Sequence, residues 1–412
     1  MIGEPQTLDA KAFACQFAAQ APALAMKDHL PKHYRKFARV MARDIELAVV
    51  AANAAAAGAG LGTGPSEESG EARAYAPHRL GTHVGAALLA PEIPELARAM
   101  HAASDETGAW DMAKWGETGM GQLTPLWMLK YLPNMLACHV SILHQAKGPS
   151  NTITAGEAMR VIERGDADAS LAGSGDSRVN HLAIERLRLI GRLADTRSRG
   201  EVDPQTLMRP FSPDAFGSVP GEGAAVCVLE RPDAARERGA QPIAALLGFG
   251  AAQAIPPRRD GGPVMAGLGA SVGGSADGLD TAMASAMRSA LRDAEVDPTD
   301  IDAVFCHGAS EVALDEAEAR ALHAVLGERA GSVELCFISP MLGETMAAGG
   351  SLLAAAAALA LHHQRLPARL NAGTPRDALR AGPAPSRDAT LGRVLVCTHA
   401  LGGQCAALVL GR

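Results

Sequence analysis

The feature that most constrains this chain is the rhythm of its C-terminal part. Short, largely apolar runs at residues 301–306, 333–338 and 394–397 alternate with long Ala-rich segments at 280–294, 315–326 and 350–363. The apolar runs are too short for helices and lack the polar alternation of a strand with one wet face, so they predict strands buried on both sides. The Ala-rich segments between them are helical in length and propensity. Strand and helix in alternation predict an α/β protein whose sheets are covered on both faces. The N-terminal part carries the same signs. Helical periodicity runs over 33–58 and 126–143, and a strand entering a turn or helix is expected at 79–89. A short strand is expected at 167–173, and another at 224–229 before a helix from Pro232 to a C-capping Gly239. Residues 59–78 are a Gly/Ser/Pro-rich surface loop, and alternation restarts after the Pro/Gly-rich stretch 255–274. These breaks divide the chain near Leu247, into 1–247 and 248–412.

Aromatic residues make up only 3% of the chain, so the core must be built from Ala, Val, Leu and Met. A charged fraction of 20% and a hydrophobic fraction of 48% describe a globular protein rather than a disordered or fibrous one. The net charge of -7 argues against nonspecific attraction to nucleic acid or to an anionic membrane surface. Seven cysteines are scattered without CxxC or Cys/His spacing, which predicts reduced, buried thiols in a cytoplasmic protein and signals no metal site. MIGEPQTLDA lacks the basic and apolar segments of a secretory leader. The most apolar stretch, 346–361, is interrupted by Gly349, Gly350 and Ser351, and is expected to be a buried helix rather than a membrane span.

Five blocks fall in a fixed order along the chain, among them GEGAAVCVLE (221–230), CHGAS (306–310), LGETMAAGG (342–350) and ALGGQ (400–404). Together they resemble the β-ketoacyl-acyl carrier protein synthases, condensing enzymes of the thiolase-like fold. GPSNTIT (148–154) and RVIERGDADASLAGSGDS (160–177) are similar to the region around that family's nucleophile. RPFSPDAFGSVPGEGAAVCVLERPDAARERGA (209–240) resembles its "RPFD…GEGAG…VLE" block, and IDAVFCHGAS (301–310) with DEAE (315–318) its "HGTST…D…E" block. SPMLGETMAAGG (339–350) resembles "KSMTGHLLGAAG", and CTHALGGQCAALVL (397–410) the closing "NSFGFGG" strand. The resemblance runs from about residue 33 onward. It implies two duplicated halves, each with a five-stranded sheet, stacked as five α/β/α/β/α layers. It also implies a dimer formed through a strand near 151–155. No counterpart of the family's opening strand and helix is visible. That strand is expected in the middle of its sheet, so its absence should leave two unpaired edges.

The chemistry the resemblance implies needs a Cys thiolate at a helix N-terminus to carry the acyl chain. Two His donors then stabilise the enolate formed as a malonyl thioester decarboxylates, with a Lys and an acidic residue holding them in place. No cofactor is implied. This chain departs from that set at most positions. The segment 149–165 is roughly nine residues shorter than the family pattern, about two and a half helical turns. If the gap follows the elbow, Glu157 stands at the Cys position; if it precedes it, Glu157 is a first-turn residue of the next helix and the nucleophile is gone. His307 survives, the second His is replaced by Glu344, and the Lys by Ser339. Asp315 and Glu318 remain, and without the Lys are expected only to cap a helix. One lost enolate donor alone lowers the rate ~100–1,000-fold.

Glu157, His307, Glu344 and His399 are a conceivable new acid–base or metal set, but spacing alone does not bring them together. Cys138–His139 is a poor nucleophile–base pair, because adjacent helix residues face different sides. The sequence therefore predicts a non-condensing partner of an active ketosynthase, similar to chain-length factors and working with an acyl carrier protein, as a heterodimer or a homodimer. A catalyst acting on acyl or malonyl thioesters without a Cys, and a stand-alone acyl-binding scaffold, are the competing expectations. Arg178, Arg186, Arg188 and Arg192 form a candidate basic patch for the acidic carrier protein.

Overall fold

Two mixed β-sheets organise the chain. The computed structural model describes residues 2–64, 72–152, 155–254, 276, 278–371, 373–376 and 378–412. The first sheet contains β1 (Leu80–Gly85), β2 (Ser150–Asn151), β3 (Ala169–Ser177) and β4 (Glu222–Glu230), in the order β2-β1-β3-β4. The second contains β5 (Ala245–Gln253), β6 (Ala303–Phe305), β7 (Glu334–Cys336), β8 (Arg393–His399) and β9 (Gln404–Gly411), in the order β5-β9-β8-β6-β7. In both sheets three strands run parallel and the last, β4 or β9, returns antiparallel. The order β2-β1-β3-β4 thus repeats as β7-β6-β8-β9, a duplication visible in the hydrogen bonding itself.

The duplication corrects one expectation. The strand that opens the second unit, β5, lies at the edge of its sheet and pairs antiparallel with β9. Among the described residues the first sheet has no counterpart of β5. The vacancy is therefore one open edge, along β4, and not a gap in the middle of the sheet.

Eight helices complete the layers that concern the site. On the outer face of the first sheet lie α1 (Arg43–Gly58), α2 (Trp127–Tyr131) and α3 (Met135–His144). Between the two sheets lie α4 (Ala155–Glu163) and α8 (Ala347–His363), the latter packed on β3 and β4 on one side and β8 on the other. α5 (His181–Leu189) follows β3, and α6 (Leu279–Asp293) and α7 (Val312–Leu326) cover the outer face of the second sheet. This is the five-layered thiolase-like α/β/α/β/α arrangement. The Ala-rich α8 is apolar all round because both of its sides meet a sheet. Small side chains also let layers approach closely: a Cβ on Gly250 of β5 would lie 2.0 Å from the Ala286 carbonyl of α6.

Two expected helices are broken. Residues 33–58 divide into a 3₁₀ segment, Lys32–Val40, and α1, with Met41 and Ala42 extended between them. The acidic first turn of α1 (Asp44, Glu46) marks the true start. Residues 126–143 divide at Leu132, which is extended because Pro133 follows it. β5 spans both sides of Leu247. The stretch 255–274 and part of the 59–78 loop, residues 65–71, lie outside the described residues. No described helix is long and apolar enough to cross a membrane.

Candidate functional site

Three elements place the surviving His. β6 ends at Phe305, and the chain turns through Gly308 and Ser310, both in the left-handed region at φ +58°. Glu318 of α7 holds this turn, accepting hydrogen bonds from the backbone N–H of His307 (2.9 Å) and Gly308 (3.0 Å). Asp315, one turn earlier, accepts from the N–H of Phe211 (2.8 Å), itself left-handed at φ +62°. The two carboxylates therefore bind loop backbone and do not cap α7, as was expected. The cap is Glu311, which accepts from the N–H groups of Ala313 and Leu314. Burial pushes the Asp315 carboxyl up to about 8 and also raises Glu318, against the pull of the His307 charge and the loop N–H groups.

Glu344 enters from the loop before α8. That loop lies against residues 219–221: the N–H of Glu344 donates to the Val219 carbonyl (2.7 Å), and the N–H of Gly221 donates to the Glu344 carbonyl (3.0 Å). A Cβ at Gly221 would meet the Leu342 carbonyl at 2.0 Å, so this approach requires glycine. One carboxylate oxygen of Glu344 accepts from the N–H of Met346 (2.9 Å) at the start of α8, and the other faces Nε2 of His307 at 3.4 Å. Nδ1 of His307 pairs with Oγ1 of Thr398 at 2.9 Å. His399 stacks on the His307 ring with centroids 4.1 Å apart.

These contacts polarise the pair. Burial opposes charge on Glu344, but the hydrogen bond and charge of His307, the Met346 N–H and the Arg192 guanidinium outweigh it and draw the carboxyl down to about 2. Burial likewise disfavours a charged His307, yet Glu344 and then Glu318 carry its pKa above the ordinary value. His399 moves the other way: burial, the His307 charge and Arg192 push it well below the ordinary range, and its Nε2 has no partner. The arrangement is a His–carboxylate pair, with the charged form of His307 favoured, beside a buried His399 whose charged form is disfavoured. Both ring nitrogens of His307 face partners within the protein.

The other expected residues disperse. Ser339 donates to the Gly308 carbonyl at 2.5 Å. Among the described residues that line the space beside it and His307 there is no lysine. Glu157 is in the first turn of α4, where it faces Arg164 at 3.7 Å; no contact brings it to His307 or Glu344. The four-residue set therefore reduces to His307, Glu344 and His399. His139 is buried against the Tyr34 hydroxyl (Nδ1 to Oη 2.8 Å), and burial lowers it to about 4, so it offers no base to Cys138. The expected basic patch does not form on the surface. Arg178 is buried in an ion pair with Asp176, Arg192 is buried beside the site, and Arg188 pairs with Glu185 at 2.7 Å. Sequence reasoning missed Thr398 and the location of Arg192. Thr398 sits between the two noticed residues Cys397 and His399.

Space differs sharply around these groups. Beside His307, Ser339, Glu344 and Thr398 the free volume is about 30 Å³, closed by Met208 and Leu353. That is room for about one water. A cavity of about 1370 Å³, lined mainly by apolar groups of β4, β5, β9 and α8, opens along the unpaired edge of β4 and reaches His399 and Glu157 but not His307.

Comparison with known proteins matches both parts of the chain. Residues 26–235 match the family model described as beta-ketoacyl synthase, N-terminal domain, and residues 264–373 its C-terminal domain. The 3-oxoacyl-[acyl-carrier-protein] synthase 2 of Staphylococcus aureus is 27% identical, over 98% of this chain and 91% of that protein. The mitochondrial 3-oxoacyl-[acyl-carrier-protein] synthase of Arabidopsis thaliana is 33% identical over 63% of this chain and 55% of its own length. Among solved structures, the ishigamide ketosynthase/chain length factor aligns with a TM-score of 0.77 and 23% identity, covering 100% of this chain and 91% of that one. A beta-ketoacyl synthase from Burkholderia phymatum aligns at 0.74 and 25%, covering 98% and 90%.

Proposed function

The chain belongs to the β-ketoacyl synthase family, and from that premise we propose that it is a non-condensing subunit, similar to chain-length factors, that pairs with an active ketosynthase. The observation that carries this reading is the state of His307. Condensation needs its ring N–H free to meet an enolate oxygen. Here Nε2 faces Glu344, Nδ1 faces Thr398, and about 30 Å³ remains beside them. The Glu344 carboxylate adds repulsion: an enolate at ~4 Å meets ~4 kcal/mol at an effective dielectric constant near 20. No Cys stands on the first turn of α4, and Cys306 and Cys397 are buried in the sheet.

In this reading the exposed edge strand β2 supplies the dimer contact, and the site residues are inherited framework. The partner's acyl substrates arrive on an acyl carrier protein, the carrier for which the Staphylococcus relative is named. We further place the boundary between the halves in the link 238–244, ahead of β5 rather than inside it. The test is co-expression with the ketosynthase encoded nearest to it, followed by size-exclusion chromatography and mass spectrometry after incubation with acyl-carrier thioester. A stable heterodimer in which only the partner becomes acylated is expected. A homodimer that ignores the partner, or an acyl adduct on this chain, refutes the proposal. Turnover of acyl or malonyl thioesters that collapses in His307→Ala establishes the competing reading, a Cys-independent catalyst.

A further inference from the structure

Three of the seven cysteines meet on one face of the second sheet. Cys397 lies on β8, and Cys306 follows β6 directly; the parallel register, which pairs Phe305 with Val396, continues to set the two side by side. Cys405 on β9 stands opposite His399 in the antiparallel register. All three thiols join the apolar cluster under α6 and α7, the side from which Glu318 of α7 reaches down. Sγ of Cys306, Sγ of Cys397 and a carboxylate oxygen of Glu318 lie within 4.8 Å of one another, with Cys397 Sγ 3.5 Å from Glu318 Oε1. Each of the three residues is at most 2% exposed. The Glu318 oxygens are fixed by two backbone N–H groups, and among the described residues no ion pair reaches the carboxylate. Nε2 of the adjoining His307 faces Glu344 and not Glu318.

We propose that Cys306, Cys397 and Glu318 bind a thiophilic divalent cation, zinc in the first instance, beneath the loop that carries His307. Zinc bonds of ~2.3 Å to sulfur and ~2.0–2.2 Å to oxygen, tetrahedrally disposed, set neighbouring ligands under ~4 Å apart. Small side-chain shifts reach that from the present spacing. Binding converts two thiols and one carboxylate to ligands and releases two protons, so Zn²⁺ plus two RSH and RCOO⁻ gives a Zn(SR)₂(OOCR) centre of charge -1 and two H⁺. The fourth position falls to water or to Cys405. The ion ties β6, β8 and α7 together. The ligands come from positions 306, 318 and 397, too far apart in sequence for any ligand-spacing signature to reveal them. The site stands independently of the proposed partner role.

The test uses the full chain, expressed in zinc-supplemented medium and dialysed without chelator. Elemental mass spectrometry is expected to give about one zinc per chain. After exchange into cobalt(II), a thiolate-to-cobalt charge-transfer band is expected in the near ultraviolet. Cys397→Ala is expected to lower bound zinc at least about tenfold and remove the band. Cys336→Ala, whose side chain packs on the opposite face of the sheet, leaves both unchanged. If Cys397→Ala does not fold, the wild-type cobalt spectrum and its loss to a chelator decide the matter. Wild-type protein with neither zinc nor the cobalt band overturns the proposal, as does zinc retained in a folded Cys306→Ala/Cys397→Ala variant.

Discussion

Asp44 to Asn is a substitution whose effect on stability should depend on pH. Asp44 sits in the first turn of α1, 4% exposed, and accepts the N–H of Ser177 at 3.0 Å. Its neighbour Asp176 on β3 is fully buried, takes the guanidinium of Arg178, and accepts the N–H of Ala347 at 2.9 Å at the start of α8. With Arg178 and a helix N-terminus serving Asp176, Asp44 is the member of the pair that holds the proton and donates it to Asp176. Burial first, and then the Asp176 charge, raise Asp44 from 3.8 to about 7, against the pull of Arg178 and the Ser177 N–H. A carboxyl whose folded pKa is raised binds its proton more tightly folded than unfolded. Its contribution is fully present below about 3.8 and is lost as pH rises through about 7. At up to about 1.4 kcal/mol per pH unit, and half titrated at pH 7, wild type loses about 2 kcal/mol from this group between pH 5 and pH 7. Asn donates to Asp176 and accepts from Ser177 without titrating. Asp44→Asn should therefore gain about 3 kcal/mol on wild type as pH rises from 5 to 8. Urea unfolding followed by circular dichroism across that range measures it. Parallel stability profiles for the two proteins would refute the shared-proton assignment.

Three further substitutions test the framework around the site. Gly221→Ala drives a Cβ to within 2.0 Å of the Leu342 carbonyl and breaks the two backbone hydrogen bonds between 219–221 and Glu344. Overpacking and the lost bonds should together cost about 3–5 kcal/mol, and a urea midpoint close to wild type would count against the required close approach. Arg369→Ala removes a buried guanidinium that serves Glu334 and the carbonyls of Leu335, Arg380 and Gly382. A loss of about 3 kcal/mol or more in thermal or chemical unfolding is expected. Tyr34→Phe leaves His139, whose Nε2 already lacks a partner, with neither ring nitrogen bonded, and should cost about 1–3 kcal/mol in the same assay.

The fold was legible where local signals and burial agree. The apolar runs became β6, β7 and β8, and the Ala-rich segments became α6, α7 and α8, each within a few residues. Boundaries failed where a single residue overrides periodicity: Pro133 cut one helix, and Asp44, committed to the core by its contact with Ser177, fixed where another begins. Strand order was not legible at all. It is a long-range property, and only the second sheet shows that an opening strand belongs at the edge beside β9. At the site, His307, Glu344 and Ser339 lie around one small space, which their spacing along the chain does not reveal. Glu157 did not join them, because the shortened segment leaves it facing Arg164. The cysteine cluster gave no sequence signal, since it depends on the register between β6 and β8.

The contacts explain how several of the family blocks serve the fold itself. Glu318 and Asp315 orient the loops after β6 and before residue 212 through backbone N–H groups, a task that needs a carboxylate and no reaction. Gly221 and Gly343 let two loops touch, with Gly343 left-handed and its would-be Cβ 2.6 Å from the Val219 carbonyl. Substituting any of these costs folding, whether or not a condensation follows. Ser339 and Glu344 each make local bonds to this framework, Ser339 donating to the Gly308 carbonyl and Glu344 accepting from the Met346 N–H. A motif in this scaffold is therefore poor evidence of turnover by itself. The observation that bears on it is whether a ring nitrogen of His307 faces open space, and here Nε2 faces Glu344 and Nδ1 faces Thr398.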